Sequence, residues 1–418
     1  MQRNKGPGPD TTDGFWLDDA GHRRWLLGEA MRLFDVFGAS LRPGGGFAQL
    51  DLAARPLPDS VDELHATTRM VHSYSLGLLA GRPDAGAMVD AGMRHLWRAH
   101  RDADHGGYLW AVKDGVPFDD RKLAYGHVFV LLAAASARMA GHPDADRLID
   151  DVWAVQEARF WDDEAGLYRD EWSRDWAVLS AYRGMNANMH AAEALLAAHE
   201  ATGREVYLER AGRILAFFLR RIAPRNAWRL PEHYDSDWQI DRAYDGDPVF
   251  RPAGTTPGHS FEMARLLLQH WDLVGRPGDG SPDLARALVK TALTDGWNRK
   301  DGGLAYTLDF DGRPAIADRL WWPVTEAIGA VAALIKLERD AADEIWYRRL
   351  WSFADAHFID HEQGGWFAEI DAAGRPVETR FRGKPDIYHA LQAALLPAMP
   401  GLSRAAAALP GALVDERR

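Results

Sequence analysis

Apolar residues recur at spacings of three and four positions over most of this chain, a period that predicts α-helices. One set of segments is apolar on nearly every face, so its helices are expected to be buried: 128–139, 187–198, 261–274, 324–337 and 387–396. A second set carries charge on one face, so its helices are expected to lie outside: 23–37, 84–100, 144–160, 205–221, 282–297 and 342–358. The two kinds alternate along the chain, about six of each.

This alternation predicts an all-α protein, an (α/α)6 barrel with the buried helices in an inner ring and the amphipathic helices in an outer ring. A turn with glycine recurs between helices, as DHGGY (104–108), DEAGLY (163–168), DGGL (301–304) and EQGGW (362–366). Because glycine and aspartate favour tight turns, we expect short β-hairpins that close one end of the barrel. Loops at the other end are expected to carry function.

No linker interrupts the helical pattern, so the sequence predicts one barrel domain over residues 15–400. Residues 1–14 are polar and rich in glycine, proline and aspartate, and are expected to form a flexible N-terminal segment. Residues 401–418 are expected to form a C-terminal tail that packs on the surface.

The formal net charge of −12, without a basic block, argues against nucleic acid and anionic lipid as partners. The N-terminus lacks the apolar core of a signal peptide, and no run approaches the roughly 20 apolar residues of a membrane helix. We therefore expect a cytoplasmic protein without a membrane partner. The chain has no cysteine, which excludes disulfides, thiolate nucleophiles and cysteine metal sites.

Five histidines and one glutamate fall near the start of successive buried helices. They are separated by 55, 63, 69, 67 and 63 residues: His72, His127, His190, His259, Glu326 and His389. Equivalent positions in a barrel of repeats face one central space, so we expect these side chains to surround a common pocket. A single buried histidine more often satisfies a backbone carbonyl or caps a helix, but the recurrence of the whole set favours a shared site.

A pocket of neutral histidines suits proton transfer, because imidazole accepts and releases protons near neutral pH. Arg69 and Arg251 are candidates to stabilise negative charge that develops on oxygen. His259 and Glu262 are three residues apart and share a helix face, so we expect this carboxylate to fix the tautomer of the imidazole.

A metal site is the competing interpretation of that spacing, which His190 and Glu193 repeat. The sequence shows no dense cluster of histidine and carboxylate residues, and a proton shuttle between histidines needs no metal. We therefore expect neither a metal ion nor another cofactor.

Four motifs carry a resemblance to a known family: RMVHSYS (69–75), YRGMNANMHAAEA (182–194), FRPAGTTPGHSFE (250–262) and DIYH (386–389). They resemble the N-acylglucosamine 2-epimerase superfamily and, within it, the aldose–ketose isomerase branch, in order from about residue 16 to 397. The resemblance implies an (α/α)6 barrel, a monosaccharide substrate and no metal or nucleotide. It also implies interconversion of D-mannose and D-fructose, with D-lyxose and D-xylulose as a further pair, by a monomer or homodimer.

By this resemblance, His259 and His389 match the acid–base pair of the family. His259 would open the sugar ring and move a proton on the C1 and O5 side, and His389 would remove and return the proton at C2 through a cis-enediol. We expect Trp322 to bind substrate as well, because indole faces stack on the C–H faces of sugars. The other expected substrate-binding residues are Arg69, Tyr125, Asn186, His190, Arg251 and Glu262.

The chain departs from the sulfoquinovose isomerases of the same branch at two polar positions, where it has Val249 and Pro385. Both differences remove groups that would bind a sulfonate, so the resemblance favours an uncharged sugar. His65 stands where the branch usually has tryptophan, which leaves the finer substrate preference open.

Three other functions stay open at this point. A 2-epimerase acting on mannose and glucose uses the same histidines. An (α/α)6 glycoside hydrolase would need two carboxylates flanking the bond, whereas the repeated positions here are mainly histidines. A sugar-binding protein without activity would keep the pocket but tolerate loss of His389.

Overall fold

The computed structural model describes residues 6–8, 14–247 and 249–413, and within them twelve long helices form two concentric rings. The even-numbered helices are the inner ring. In chain order the helices are α1 (Ala20–Phe37), α2 (Leu64–Leu79), α3 (Ala85–His95), α4 (Ala124–Met139), α5 (Ala145–Val155), α6 (Met185–Thr202), α7 (Glu205–Ala216), α8 (Pro257–Leu273), α9 (Ser281–Gly296), α10 (Trp321–Leu337), α11 (Ala341–His357) and α12 (Tyr388–Ala398).

Each inner helix packs against the next, and α12 packs against α2, which closes the ring. Each outer helix packs against an inner one, α3 on α2, α5 on α4 and so on, with α1 on α12. The predicted (α/α)6 barrel is therefore confirmed. Inner helices such as α4 and α10 are buried on almost every face because they lie between the barrel axis and the outer ring.

The predicted helices are all present, with small differences at their ends. Three outer helices finish in π-helical turns that extend them to the predicted bounds: Leu96–His100, Gln156–Phe160 and Phe217–Ile222. The inner helix predicted at 261–274 begins four residues earlier, at Pro257, because polar residues occupy its first turn and hide the apolar period. Short 3-10 turns lie at Trp16–Asp18, Gly38–Ser40 and Ala223–Asn226.

The strands are short, antiparallel and located before the inner helices. They are β1 (Asp62–Glu63), β2 (Ala111–Lys113), β3 (Val116–Asp119), β4 (Lys122–Leu123), β5 (Trp161–Asp162), β6 (Leu167–Tyr168), β7 (Glu171–Trp172), β8 (Arg183–Gly184), β9 (His233–Tyr234), β10 (Thr307–Leu308), β11 (Pro314–Ile316), β12 (Arg319–Leu320) and β13 (Glu369–Ile370). The pairs β1–β2, β4–β7, β8–β9 and β12–β13 join one repeat to the next. The predicted short hairpins are confirmed.

The hairpins lie at the N-terminal end of the inner helices, and this is the end at which the central cavity opens. The expectation that functional loops lie at the opposite end is therefore wrong. The opposite end has short connections, such as Gly203 and Arg204 between α6 and α7. Such connections lack the chain length to line a cavity.

The recurring glycine turn has one backbone geometry in three repeats. Asp102, Asn298 and Asp360 each donate their N–H to the carbonyl of the glycine five residues later and accept from the N–H of the glycine four residues later. These glycines have positive φ, at which glycine is favoured. The sequence repeat is therefore a structural repeat.

The predicted N-terminal segment 1–14 lies outside the described residues except for 6–8 and 14. The predicted tail is described as far as Leu413, and it includes α13 (Ala405–Ala408). Leu409 and Leu413 are buried, and the N–H of Leu413 donates to the carbonyl of Ala80 at 3.0 Å, so this part of the tail packs on the barrel. Along the described ranges, none of the helices has the length and apolarity to cross a membrane.

Candidate active site

A cavity of ≈ 820 Å³ opens at the hairpin end of the barrel. All six inner helices contribute residues from their first turns or from the position just before them. Loops that precede these helices form the outer wall, including Glu232, Val249 and Arg251. The polar and aromatic residues that the inner helices, or the positions just before them, place on the cavity include His65, Arg69, Tyr125, Asn186, His190, His259, Glu262, Trp321, Trp322, Asp386 and His389.

His259, in the first turn of α8, is fixed by Glu232 rather than by the predicted Glu262. Its Nδ1 lies 2.9 and 3.0 Å from the two carboxylate oxygens of Glu232, which precedes β9. Because side chains on a helix lean toward its N-terminus, His259 reaches the wall of the cavity while Glu262 lies one turn deeper. The expectation that Glu262 orients His259 is therefore wrong.

His389, in the first turn of α12, has the same arrangement with another carboxylate. Its Nδ1 lies 2.8 Å from Oε1 of Glu326 on α10. A carboxylate only accepts, so Nδ1 carries the hydrogen and Nε2 of each neutral histidine has the free lone pair. The indole of Trp322 lies 4.9 Å from the ring of His259 and 6.0 Å from that of His389, so it links the two rings.

His190, in the second turn of α6, lies at the level of Glu262. Its Nδ1 is 3.4 Å from Glu262 and 3.6 Å from Glu193. Burial lowers the pKa of His190 to about 4, so its ring is neutral at pH 7. Burial raises the pKa of Glu262 well above its usual value, and the nearby carboxylates Glu326 and Glu193 raise it further. The raised pKa favours the neutral form of Glu262, and its two buried oxygens have no hydrogen-bond partner among the described residues.

His190, Glu193 and Glu262 form a cluster in which Glu262 joins the His190–Glu193 pair that the sequence had indicated. One ligand atom from each lies within 4.8 Å of the others, a separation at which three side chains can hold a metal ion. Arg265 lies 3.8 Å from Glu193 and supplies positive charge at the same place. The guanidinium therefore reduces the negative charge that would attract a cation.

Arg69 is held rigidly in the second turn of α2. Its guanidinium donates to Asp386 at 2.8 Å and to the hydroxyl of Tyr125 at 3.0 Å. It also lies between the rings of Phe129 and Tyr388, 4.6 and 4.7 Å from their centroids. Arg69 and Tyr125 therefore present fixed polar groups to the cavity.

Arg251 lies in the loop wall of the cavity. Its guanidinium pairs with Glu171 at 2.9 Å and stacks on Tyr182 at 4.1 Å. Asn186 lines the wall beneath, and its buried Oδ1 has no partner among the described residues. Unpaired polar atoms of this kind are available to a polyhydroxylated ligand.

Two members of the predicted histidine ring lie away from the cavity. Nδ1 of His72, two turns into α2, lies 2.7 Å from the hydroxyl of Ser136. His127 accepts from the N–H of Tyr108 at 3.0 Å beneath a hairpin. Glu326 also lies beneath the cavity wall and reaches it only through His389. These three residues therefore support the site without facing it.

Sequence reasoning missed Glu232 and did not assign His65 a role. Glu232 lies in a loop, where no helical period links it to His259. His65 stacks on Trp110 with ring centroids 5.1 Å apart and planes 9° apart, and its Nδ1 has no hydrogen-bond partner in the part of the chain that the structure describes. Burial lowers the pKa of His65 to about 3. The signal for His65 was its position one helical turn before Arg69, on the same face.

The arrangement provides two histidines with free Nε2 atoms beside one indole, each held by a buried carboxylate. Hydrogen-bond donors line the same cavity, because Arg69 and Tyr125 carry N–H and O–H groups there. Such a site can remove a proton from carbon while stabilising charge on the adjacent oxygen.

Residues 45–393 match the family model for N-acylglucosamine 2-epimerase (GlcNAc 2-epimerase). The chain is 43% identical over 392 residues to a D-mannose isomerase of Thermobifida fusca, covering 92% of this chain and 96% of that protein. It is 39% identical over 405 residues to a D-mannose isomerase of Pseudomonas cannabina pv. alisalensis, covering 95% and 97%. A crystal structure of D-mannose isomerase superposes with a TM-score of 0.85 at 30% identity, covering 89% of this chain and 97% of that one.

Proposed function

Because the chain belongs to the N-acylglucosamine 2-epimerase family and is an isomerase, we propose that it interconverts D-mannose and D-fructose. D-Lyxose and D-xylulose are a second pair in the proposal. Residues 15–400 are the proposed catalytic domain. A cytoplasmic location and a monomeric or dimeric state stay predictions from the sequence.

One observation carries the proposal: the rings of the matched histidines His259 and His389 both lie beside the indole of Trp322, with ring centroids 4.9 and 6.0 Å away. Each donates Nδ1–H to a buried glutamate, so each presents a basic Nε2 toward the cavity. Two bases beside one apolar ring suit a substrate whose C–H face stacks on the indole while protons move on its polar side.

In the proposed reaction, Nε2 of His259 takes the proton of the O1 hydroxyl and delivers it to the ring oxygen O5 as the C1–O5 bond breaks, which opens the sugar. Nε2 of His389 then takes the proton from C2. The electron pair of that C–H bond forms the C1=C2 bond, the π pair of the C1 carbonyl moves to O1, and the imidazolium of His389 gives its proton to O1, which yields the cis-enediol. His259 then takes the O2 proton and delivers it to C1, which produces the ketose. No atom or electron is gained overall.

The oxygens O1 and O2 carry the developing charge, so donors at their positions lower the barrier. Arg69 is the proposed cationic donor, since its guanidinium is fixed by Asp386 and by two aromatic rings. His190 and Glu262 are the proposed neutral donors on the adjacent wall. Tyr125, Asn186 and Arg251 are proposed to bind the hydroxyls farther from the reacting carbons.

The test is incubation with D-mannose in D2O, with products separated by chromatography and followed by NMR. D-Fructose should form first and carry deuterium at C1. D-Glucose as the first and main product would instead identify a 2-epimerase, and no turnover of any aldose would contradict both. His259→Asn and His389→Asn should each lower kcat by about 10²-fold or more. The control is His142→Asn, at the opposite end of the barrel beside Asp90, which should retain activity.

A further inference from the structure

Beneath the cavity, three glutamates from three successive inner helices surround one arginine. Glu193 lies on α6, Glu262 and Arg265 on α8, and Glu326 on α10. The guanidinium NH2 of Arg265 is 3.5 Å from Glu326 and 3.8 Å from Glu193. Arg265 does not line the cavity, and its exposed fraction is only 7%. It therefore acts on a ligand only through its neighbours.

The two ionised carboxylates differ in how many other partners they have. Glu193 accepts from the hydroxyl of Tyr388 and, at 3.0 Å, from the amide of Gln392. Within the described residues, the recorded partners of Glu326 are Nδ1 of His389 at 2.8 Å and Arg265. Glu326 is thus the carboxylate whose charge depends most on Arg265.

The charge on Glu326 decides which nitrogen of His389 is basic. An ionised Glu326 accepts the Nδ1 hydrogen and leaves the Nε2 lone pair directed at the cavity. A protonated Glu326 would donate to Nδ1, and the hydrogen of the ring would then reside on Nε2, which could no longer accept a proton. Burial alone favours the protonated acid, so a buried cation is needed to keep Glu326 ionised.

We propose that Arg265 is a positioning residue that holds Glu326 as a carboxylate and so directs the basic nitrogen of His389 at the substrate. Among the described residues, the other groups packed around Glu326 do not supply the positive charge that this role requires. Burial and neighbouring carboxylates raise the pKa of Glu262 and favour its neutral form. Glu193 adds negative charge, and Arg69 is already paired with Asp386. From α2, the buried His72 is neutral near pH 7 because burial lowers its pKa to about 4. The α12 groups Tyr388, His389 and Gln392 contribute no second fixed cation.

The experiment is a pH titration of His389 by NMR of histidine-labelled protein without sugar, with the signal assigned from His389→Asn. In Arg265→Met the carboxylate loses its cation, so the His389–Glu326 pair should retain its proton to higher pH, by about one unit or more. Arg265→Lys keeps a charge and should titrate closer to wild type. Glu193→Gln removes competing negative charge and should shift the titration in the opposite direction.

The matched control is Arg82→Met, which removes an equally buried arginine paired with Asp35 and Asp84 on another part of the barrel. It should leave the titration of His389 and the turnover unchanged. An unshifted His389 in folded Arg265→Met, or the same shift in Arg82→Met, would overturn the proposal. If Arg265→Met does not fold, Arg265→Lys and Glu193→Gln test the proposal instead. Titrations of His389 that are the same in these two variants as in wild type would also contradict the proposal.

The proposal rests on the proposed function only in naming His389 as the base. The acid limb of kcat/KM against pH for mannose should move with the NMR titration, toward higher pH in Arg265→Met. A titration shift without any turnover of mannose by wild type would preserve the positioning role and reject the proposed substrate. A shifted titration with an unshifted acid limb would contradict positioning of the base by Arg265.

Discussion

The carboxylate of Glu232 accepts a hydrogen bond from Nδ1 of His259 at 2.9 Å, although 27 residues separate them. The bond joins a loop of one repeat to the inner helix that follows it. Because Nδ1 donates in this hydrogen bond, the basic nitrogen of a neutral His259 is Nε2. Both proposed proton movers therefore depend on a carboxylate from outside their own helix.

Replacing Glu232 with glutamine should test that dependence. The amide can present NH2 to Nδ1, which would favour the tautomer with hydrogen on Nε2, so kcat/KM for mannose should fall by about 10²-fold. Steady-state kinetics measure the loss. Glu29→Gln is the matched control, a buried glutamate of α1 that bonds Trp366 far from the cavity, and it should keep wild-type kinetics. Equal activity in the two variants would contradict the role of Glu232.

Arg69→Lys should lower kcat more than it raises KM, by about 10²-fold in kcat/KM. Lysine keeps the charge but cannot donate to Asp386 and Tyr125 together or lie flat between two rings. Initial rates over a range of mannose concentrations separate the two constants. An effect confined to KM would show that Arg69 binds the ground state and has no part in stabilising the transition state.

Gly258 and Gly86 are both the second residue of their helices, and we expect alanine to have opposite effects at the two positions. A Cβ on Gly258 would lie 2.2 Å from the indole of Trp322, so Gly258→Ala should lower stability by about 1–3 kcal/mol and displace that ring. No atom of the described residues outside its own helix lies within 4 Å of a Cβ on Gly86, so Gly86→Ala should raise stability by up to about 1 kcal/mol. Denaturant unfolding measures both. Wild-type activity in Gly258→Ala would argue against a role for Trp322.

Asp170 predicts a pH dependence of stability. Burial raises its pKa to about 7, so its neutral form stabilises the fold fully below the unfolded value near 3.8, and this contribution is lost as pH rises through 7. Asp170→Asn can still accept from the N–H of Gly184, as Asp170 does at 2.8 Å. Its melting temperature relative to wild type should therefore increase from pH 5 to pH 8, by a few degrees, or about 1–2 kcal/mol.

Asp360→Asn is the comparison variant, for which the pH dependence of stability should have the opposite sign. Although burial opposes ionisation, hydrogen bonds from Gln363 and Lys384 lower the pKa of Asp360. This carboxylate stabilises the fold above its unfolded pKa, and the contribution is lost as pH falls through the folded pKa. The variant should therefore be destabilised at pH 8 and less so in acid. Parallel pH profiles for the two variants would contradict the assignment for Asp170.

The sequence predicted the barrel well because burial in two rings imposes a regular period on every helix. It predicted that His190, His259 and His389 meet because equivalent positions of a repeat face the same axis. It paired His259 with Glu262 wrongly, since a three-residue spacing places two side chains on one face without setting their depth. Glu232 was not predictable from period, because contacts between loops and helices depend on the path of the loop.

The error about the functional end has a similar cause. A hydrophobic period identifies the buried face of a helix but does not say which end of the barrel is open. The position of His259 and His389 at the start of their helices carried that information. Residues at the start of an inner helix must lie beside the hairpin that precedes it.

The orientation of the inner ring has an electrostatic consequence. All six inner helices direct their N-termini at the cavity, and the aligned peptide dipoles give each of these helix ends about half a positive charge. Six macrodipoles therefore create a positive potential at the point where the proposed enediol intermediate would form and gain negative charge. In an acidic protein of net charge −12, this field arises from the backbone, so side-chain substitutions in the loops can alter the choice of sugar without removing it.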